Sequence, residues 1–118
     1  MPDATAPGGS RRQAGPARHE LPAIDEAALA TARTVDAMLR AARSGGHDRW
    51  ATFLGPLPDR LRDGDLRELR ATALRVRAAY GPKDSVRDAL PEDVTEPAMK
   101  AVDRLLKALA RHDARGDR

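Results

Sequence analysis

The chain has 118 residues, of which 41% are hydrophobic and 33% charged, as in one globular domain with its own core. It contains no cysteine, which excludes disulfides, thiol nucleophiles and zinc sites built on thiolates. The 21 basic and 18 acidic residues leave a net charge of only +3, and no apolar run approaches the ~20 residues that span a membrane. These features predict a cytoplasmic protein without a membrane segment.

The two ends of the chain are predicted to lie outside the folded part. Residues 1–20 contain three prolines, three glycines and no large apolar residue after Met1. Such a segment buries too little surface to offset its chain entropy, so it is predicted to be a disordered tail. With residues 115–118 predicted to fray, a single domain over 21–114 remains.

A first amphipathic helix is predicted over about 23–44. Asp25 and Glu26 in its first turn complement the helix dipole, and Gly45-Gly46 provides the stop. Its predicted apolar face consists of Ile24, Ala28, Val35, Met38, Leu39 and Ala42.

The segment after this helix holds two of the three aromatic residues of the chain, Trp50 and Phe53, next to Leu54 and Leu57. The spacing and the Gly-Pro pair at 55–56 predict short helical turns. An exposed cluster of this kind is an anchor for a protein partner, because tryptophan is enriched at binding hot spots. The more common alternative is a bulky plug that fills a core otherwise rich in alanine.

A second helix is predicted over about 65–80. Asp65 and Glu68 form a capping-box pattern at its start, and Gly81-Pro82 prevents its continuation. Its apolar seam, with alternating spacings of three and four residues, is Leu66, Leu69, Ala73, Val76 and Tyr80.

A third helix is predicted over about 95–113, with Thr95 as its N-cap. Opposite its apolar face runs a basic face that consists of Lys100, Arg104, Lys107 and Arg111. Asp103 lies four residues before Lys107, and pairing between them would partly neutralise this face. Four cations without interleaved aromatic residues suit only weak, sequence-independent contact with nucleic acid.

Catalytic and metal-binding patterns are missing from the sequence. The three histidines are far apart along the chain, and no serine lies in a nucleophile motif. The acidic stretch at 82–96 is interpreted as helix capping and solvated surface, although a contact with a cation or a basic partner is an alternative. The sequence therefore predicts no enzyme activity, no cofactor and no metal.

Together, these patterns predict an all-α fold, a compact bundle of three main helices with short helical turns in the connections. The predicted function is that of an accessory or adaptor protein that contacts another protein or a second copy of itself. The contact residues would be Trp50, Phe53, Leu54 and Leu57, together with any part of the Leu66–Tyr80 seam left uncovered. The alternative is nucleic-acid binding through the basic face of the last helix.

Overall fold

A computed structural model describes residues 17–116, which form a 3-10 turn at Arg18–Glu20 and six α-helices. The helices are α1 (Pro22–Ser44), α2 (Asp48–Leu54), α3 (Leu57–Asp63), α4 (Leu66–Ala78), α5 (Val86–Ala89) and α6 (Glu92–Gly116). No strand occurs over these residues, and none of their helices is long and apolar enough to cross a membrane.

The predicted all-α bundle is confirmed. The three long helices α1, α4 and α6 correspond to the three predicted main helices, and α2, α3 and α5 are the short helical segments of the connections. Helix α1 packs against α2, α3 and α6, and α4 closes the bundle against α3 and α6. Alanines at 28, 32 and 42 are wholly buried in α1 and allow its neighbours to approach closely.

Large aliphatic side chains from every long helix fill the core between these alanines. The largest of them are fully buried and come from α1 to α4 and α6: Met38, Leu54, Leu57, Leu61, Leu69, Leu105 and Leu109. Because these side chains are fully buried, substitutions that remove their methylene groups are costly.

The predicted signals at two helix ends are confirmed. The Asp65 carboxylate accepts a hydrogen bond from the Glu68 backbone N–H at 2.9 Å, and the Glu68 carboxylate accepts one from the Asp65 N–H at 3.2 Å. At the end of α1, Gly46 has a φ of +72°, a conformation that a residue with a Cβ adopts only with strain.

The predicted start of the last helix is wrong by one turn. Helix α6 begins at Glu92, and the Pro91 carbonyl accepts hydrogen bonds from the Val94 and Thr95 N–H groups, both at 3.1 Å. Thr95 is therefore not the N-cap but a residue of the second turn, and it is only 1% exposed. Proline disfavours helix in the residue before it, so Pro91 sets the helix start more strongly than the threonine does.

Most of the predicted N-terminal tail, residues 1–16, lies outside the described residues, but the turn at Arg18–Glu20 contacts the bundle. The side chain of Arg18 is 12% exposed, and its Nη1 donates to the carbonyls of Arg62 at 2.6 Å and Gly64 at 3.1 Å. Its Nη2 lies 2.8 Å from Asp25 Oδ1, an ion pair without hydrogen-bond geometry. At the other end, α6 includes residues 115–116, which were predicted to fray.

Candidate interaction surfaces

Trp50 and Phe53, one turn apart on α2, are both half-buried against the core. Their ring centroids are 5.7 Å apart and their planes meet at 87°, an edge-to-face contact. The guanidinium carbon of Arg49 lies 5.3 Å from the Trp50 ring centre, and that of Arg75, on α4, lies 5.1 Å from the Phe53 ring centre. We call these four residues the arginine–aromatic cluster.

The sequence placed Leu54 and Leu57 in the same surface, and the structure contradicts this. Both side chains are 0% exposed and belong to the core, because α2 and α3 both pack against α1. The Leu66–Tyr80 seam is likewise covered, with no member more than 8% exposed. Leu54 and Leu57 therefore fill the core, and of the four predicted contact residues only Trp50 and Phe53 reach the surface.

A cleft of about 340 Å³ opens beside Trp50, between the start of α2 and the start of α5. Its lining carries three carboxylates, and Asp84 has a φ of +52° in the turn before α5. The lining residues are His47, Asp48, Arg49, Trp50, Asp84, Ser85, Asp88 and Ala89. This side of the aromatic surface is therefore polar and largely acidic.

The four residues of the basic face of α6, Lys100, Arg104, Lys107 and Arg111, are all exposed. The predicted pairing of Asp103 with Lys107 is wrong, since Asp103 faces α4 and accepts a hydrogen bond from Arg77 Nε at 3.1 Å. No ion pair within residues 17–116 includes any of the four cations. The basic face is therefore less neutralised than its sequence indicates.

Leu74 is the one exposed large hydrophobic residue among those described, with 57% of its surface accessible. It lies on α4, off the buried seam, between Arg70 and Arg77. These arginines form ion pairs with Asp113 and Asp103 of α6. Leu74 was not among the predicted contact residues, although it is the one leucine of α4 that does not fit the spacing of the seam.

Tyr80 joins the end of the α4 segment to α6. Its hydroxyl donates to the Thr95 carbonyl at 2.6 Å, and the guanidinium groups of Arg77 and Arg87 lie 6.0 and 5.5 Å from its ring centre. Burial, followed by the negative charge of Glu96, raises the pKa of Tyr80 to about 12. A phenol that stays protonated and hydrogen-bonded is a structural link between helices rather than a general base.

Within residues 17–116, no three histidine, aspartate or glutamate side chains are grouped as metal ligands. The fold and its surfaces define a helical bundle whose distinctive groups are an arginine–aromatic cluster, a basic helix face and an exposed leucine. No protein-family model, curated protein or solved structure matches the chain.

Proposed function

We propose that the protein acts without catalysis, by binding another protein through the arginine–aromatic cluster. The observation that supports this is the arrangement of Trp50 and Phe53 at the surface with an arginine over each ring. Aromatic residues and arginine are enriched at protein interfaces, and tryptophan, tyrosine and arginine carry much of the binding energy there.

The cluster is held in place before a partner arrives. Each ring packs against the core on one side and contacts another ring or a guanidinium group on the other. Side chains that are already ordered lose little conformational entropy on binding, so their burial contributes more to affinity. The partner would be a different protein, or a second copy of this chain docked on the same surface.

A comparison of three variants tests this proposal. Trp50→Ala and Phe53→Ala remove the exposed rings, and Thr52→Ala changes an exposed residue between them on the same helix. Each tagged variant is used to recover bound proteins from the native cells, with circular dichroism as the check of folding. Light scattering of the pure protein detects self-association.

We expect wild type and Thr52→Ala to retain the same partner, or the same dimer, and Trp50→Ala and Phe53→Ala to lose it. If folded Trp50→Ala retains every interaction of the wild type, the cluster is not the docking surface. A wild type that stays monomeric and recovers no protein contradicts the proposal altogether.

A second candidate function is weak nucleic-acid binding through the basic face. It is favoured by the finding that Asp103 pairs with Arg77 and leaves Lys107 without that neighbour. Such binding depends on the release of counterions from phosphate, so the logarithm of the affinity falls linearly with the logarithm of salt concentration.

Lys100→Glu combined with Arg104→Glu should abolish binding to duplex DNA at low salt. Arg43→Glu combined with Arg60→Glu makes the same change in net charge, but on α1 and α3. This control should preserve most of the binding to duplex DNA. Equal losses in the two double variants would mean that net charge, and not this face, controls binding. Absence of binding at low salt removes this candidate.

The cysteine-free composition is typical of a cytoplasmic protein, and this location stays a prediction.

A further inference from the structure

Leu74 is part of a small apolar strip between α4 and α6. The strip, which we call the Leu74 strip, consists of Leu74 on α4 and of Leu106 and Ala110 on α6. Leu74 and Ala110 are exposed, and Leu106 is half-buried against the core.

Two ion pairs set the register of the strip. Arg70 pairs with Asp113 and Arg77 pairs with Asp103, which means that α4 and α6 run antiparallel. Leu74 lies four residues after Arg70 and three before Arg77, on the same flank of α4. Leu106 and Ala110 lie between the two aspartates on α6, so both halves of the strip are bounded by the same ion pairs.

The length of the strip suits a helical ligand. Arg70 and Arg77 are seven residues apart, about 10 Å along the α4 axis, or two helical turns. An amphipathic helix presents two or three apolar side chains over that distance, at the i, i+3, i+4 and i+7 positions that fill a groove.

The rim of the strip is basic. Arg67 lies on the same flank of α4 as Leu74, and Lys107 borders Leu106 and Ala110 on α6; both are exposed. Neither cation belongs to an ion pair among the described residues, whereas Asp103 and Asp113 of α6 are both paired with arginines of α4. An acidic ligand would therefore find cations on both sides of the strip, free to pair.

From this pattern we infer that the Leu74 strip is a docking surface for an acidic amphipathic helix of a partner protein. Leu74 packs against the apolar face of the partner helix, and the carboxylates of the partner helix pair with Arg67 and Lys107. A second copy of the chain is the poorer occupant. A symmetric dimer on this strip would bring the basic rims of the two copies together, without carboxylates to pair with them. The surface lies on a different part of α4 from Arg75 and is independent of the arginine–aromatic cluster.

The probes are three synthetic helical peptides that differ in one property each. The first has leucine on one face and glutamate on the other. The second has lysine in place of every glutamate, and the third has alanine in place of every leucine. Fluorescence anisotropy of the labelled peptides measures their binding to the full chain.

We expect only the acidic leucine peptide to bind, and its affinity to fall as salt is added. Leu74→Ala should weaken it about tenfold, because the apolar contact of an exposed leucine is lost. Arg67→Glu combined with Lys107→Glu should weaken it at least as much. The matched charge change, Arg43→Glu combined with Arg60→Glu, should leave most of the affinity. Trp50→Ala should bind like wild type, which separates this surface from the arginine–aromatic cluster.

Three results would overturn the inference. The first is equal binding of the acidic and the basic peptide, or no binding of either. The second is unchanged affinity of folded Leu74→Glu for the acidic peptide. The third is a dimer of the wild type, seen by light scattering, that Leu74→Glu dissociates, since the strip would then be occupied by a second copy.

Discussion

The buried hydroxyl of Tyr80 links two helices, since it donates to the Thr95 carbonyl of α6 and lies 3.5 Å from Met38 Sδ of α1. The Thr95 carbonyl that accepts its hydrogen bond at 2.6 Å lies in α6, fifteen residues along the chain. Because Thr95 lies within α6, its carbonyl keeps its intrahelical N–H donor, and removing the hydroxyl costs one net hydrogen bond, about 0.5–1.5 kcal/mol. Tyr80→Phe should therefore lower the free energy of unfolding at neutral pH by this amount, as measured in urea.

The same residue predicts a dependence on alkaline pH. The pKa of Tyr80 is raised from 10.0 to about 12 in the folded chain. Between these values the unfolded chain releases the phenolic proton and the folded chain retains it, so the free energy of unfolding falls as pH rises. Below pH 10 the full contribution is present, and above about 12 it is lost.

Because Tyr80 is the only tyrosine of the chain, near-ultraviolet absorbance of tyrosinate follows it directly. We expect a titration midpoint well above that of free tyrosine. The pH-dependent part of the unfolding free energy should also be smaller in Tyr80→Phe than in wild type. A midpoint equal to that of free tyrosine would contradict the buried hydrogen bond.

Individual residues also show where the sequence misleads. The i, i+4 rule placed Asp103 beside Lys107, but its partner is Arg77, twenty-six residues away. The rule describes an isolated helix, whereas Asp103 lies on the flank of α6 that faces α4. A tertiary partner of this kind cannot be found from spacing along one helix.

At the scale of the element, helix α4 carries groups of both candidate surfaces, Arg75 on one flank and Leu74 on the other. Its start is fixed by the capping box of Asp65 and Glu68. Asp65→Ala should lower the free energy of unfolding by about 1 kcal/mol, because the Glu68 N–H loses its acceptor. Urea unfolding measures this.

Two further variants serve as controls for the cap. Asp65→Asn keeps an acceptor at the same position and should restore most of the stability. Asp63→Ala removes an exposed carboxylate at the end of α3 and should have little effect. If Asp63→Ala is as destabilising as Asp65→Ala, loss of negative charge rather than of the cap is responsible.

The elements were predictable where local chemistry decides them. Helices α1 and α4 each have apolar residues at a 3.6-residue period and a clear signal at one end, Gly45-Gly46 for α1 and the capping box for α4. The ends of both helices were therefore predicted to within a few residues. The start of α6 was misplaced because two signals compete there, Pro91 and Thr95, and the threonine is buried in the bundle instead of capping the helix. The aromatic residues of α2 were recognised, but the exposure of each depended on how α2 and α3 dock on α1.

At the scale of the whole molecule, Arg18 connects three parts of the chain. Its guanidinium binds two carbonyls at the end of α3, where helix carbonyls lack partners, and pairs with Asp25 of α1. Arg18→Met keeps the aliphatic stem and removes these bonds. We expect it to lower the free energy of unfolding by about 1–3 kcal/mol.

Thermal unfolding of Arg18→Met, with Arg60→Met as an exposed control on α3, checks this prediction. Hydrogen exchange should become faster at the Gly64 end of α3 in Arg18→Met, because the local cap is lost. Wild-type stability in Arg18→Met would mean that the turn at Arg18–Glu20 is not part of the cooperative fold.

The most extensive helix–helix contact among the described residues joins α1 to α6, the first and the last of the helices. A ribosome makes them in that order, so the apolar face of α1 emerges long before the helix that covers it. Until α6 has left the exit tunnel, α1 can bury its face only against α2 and α3. Folding of the bundle must therefore finish after synthesis of α6. In the meantime the nascent chain exposes the surface that chaperones bind and that leads to aggregation.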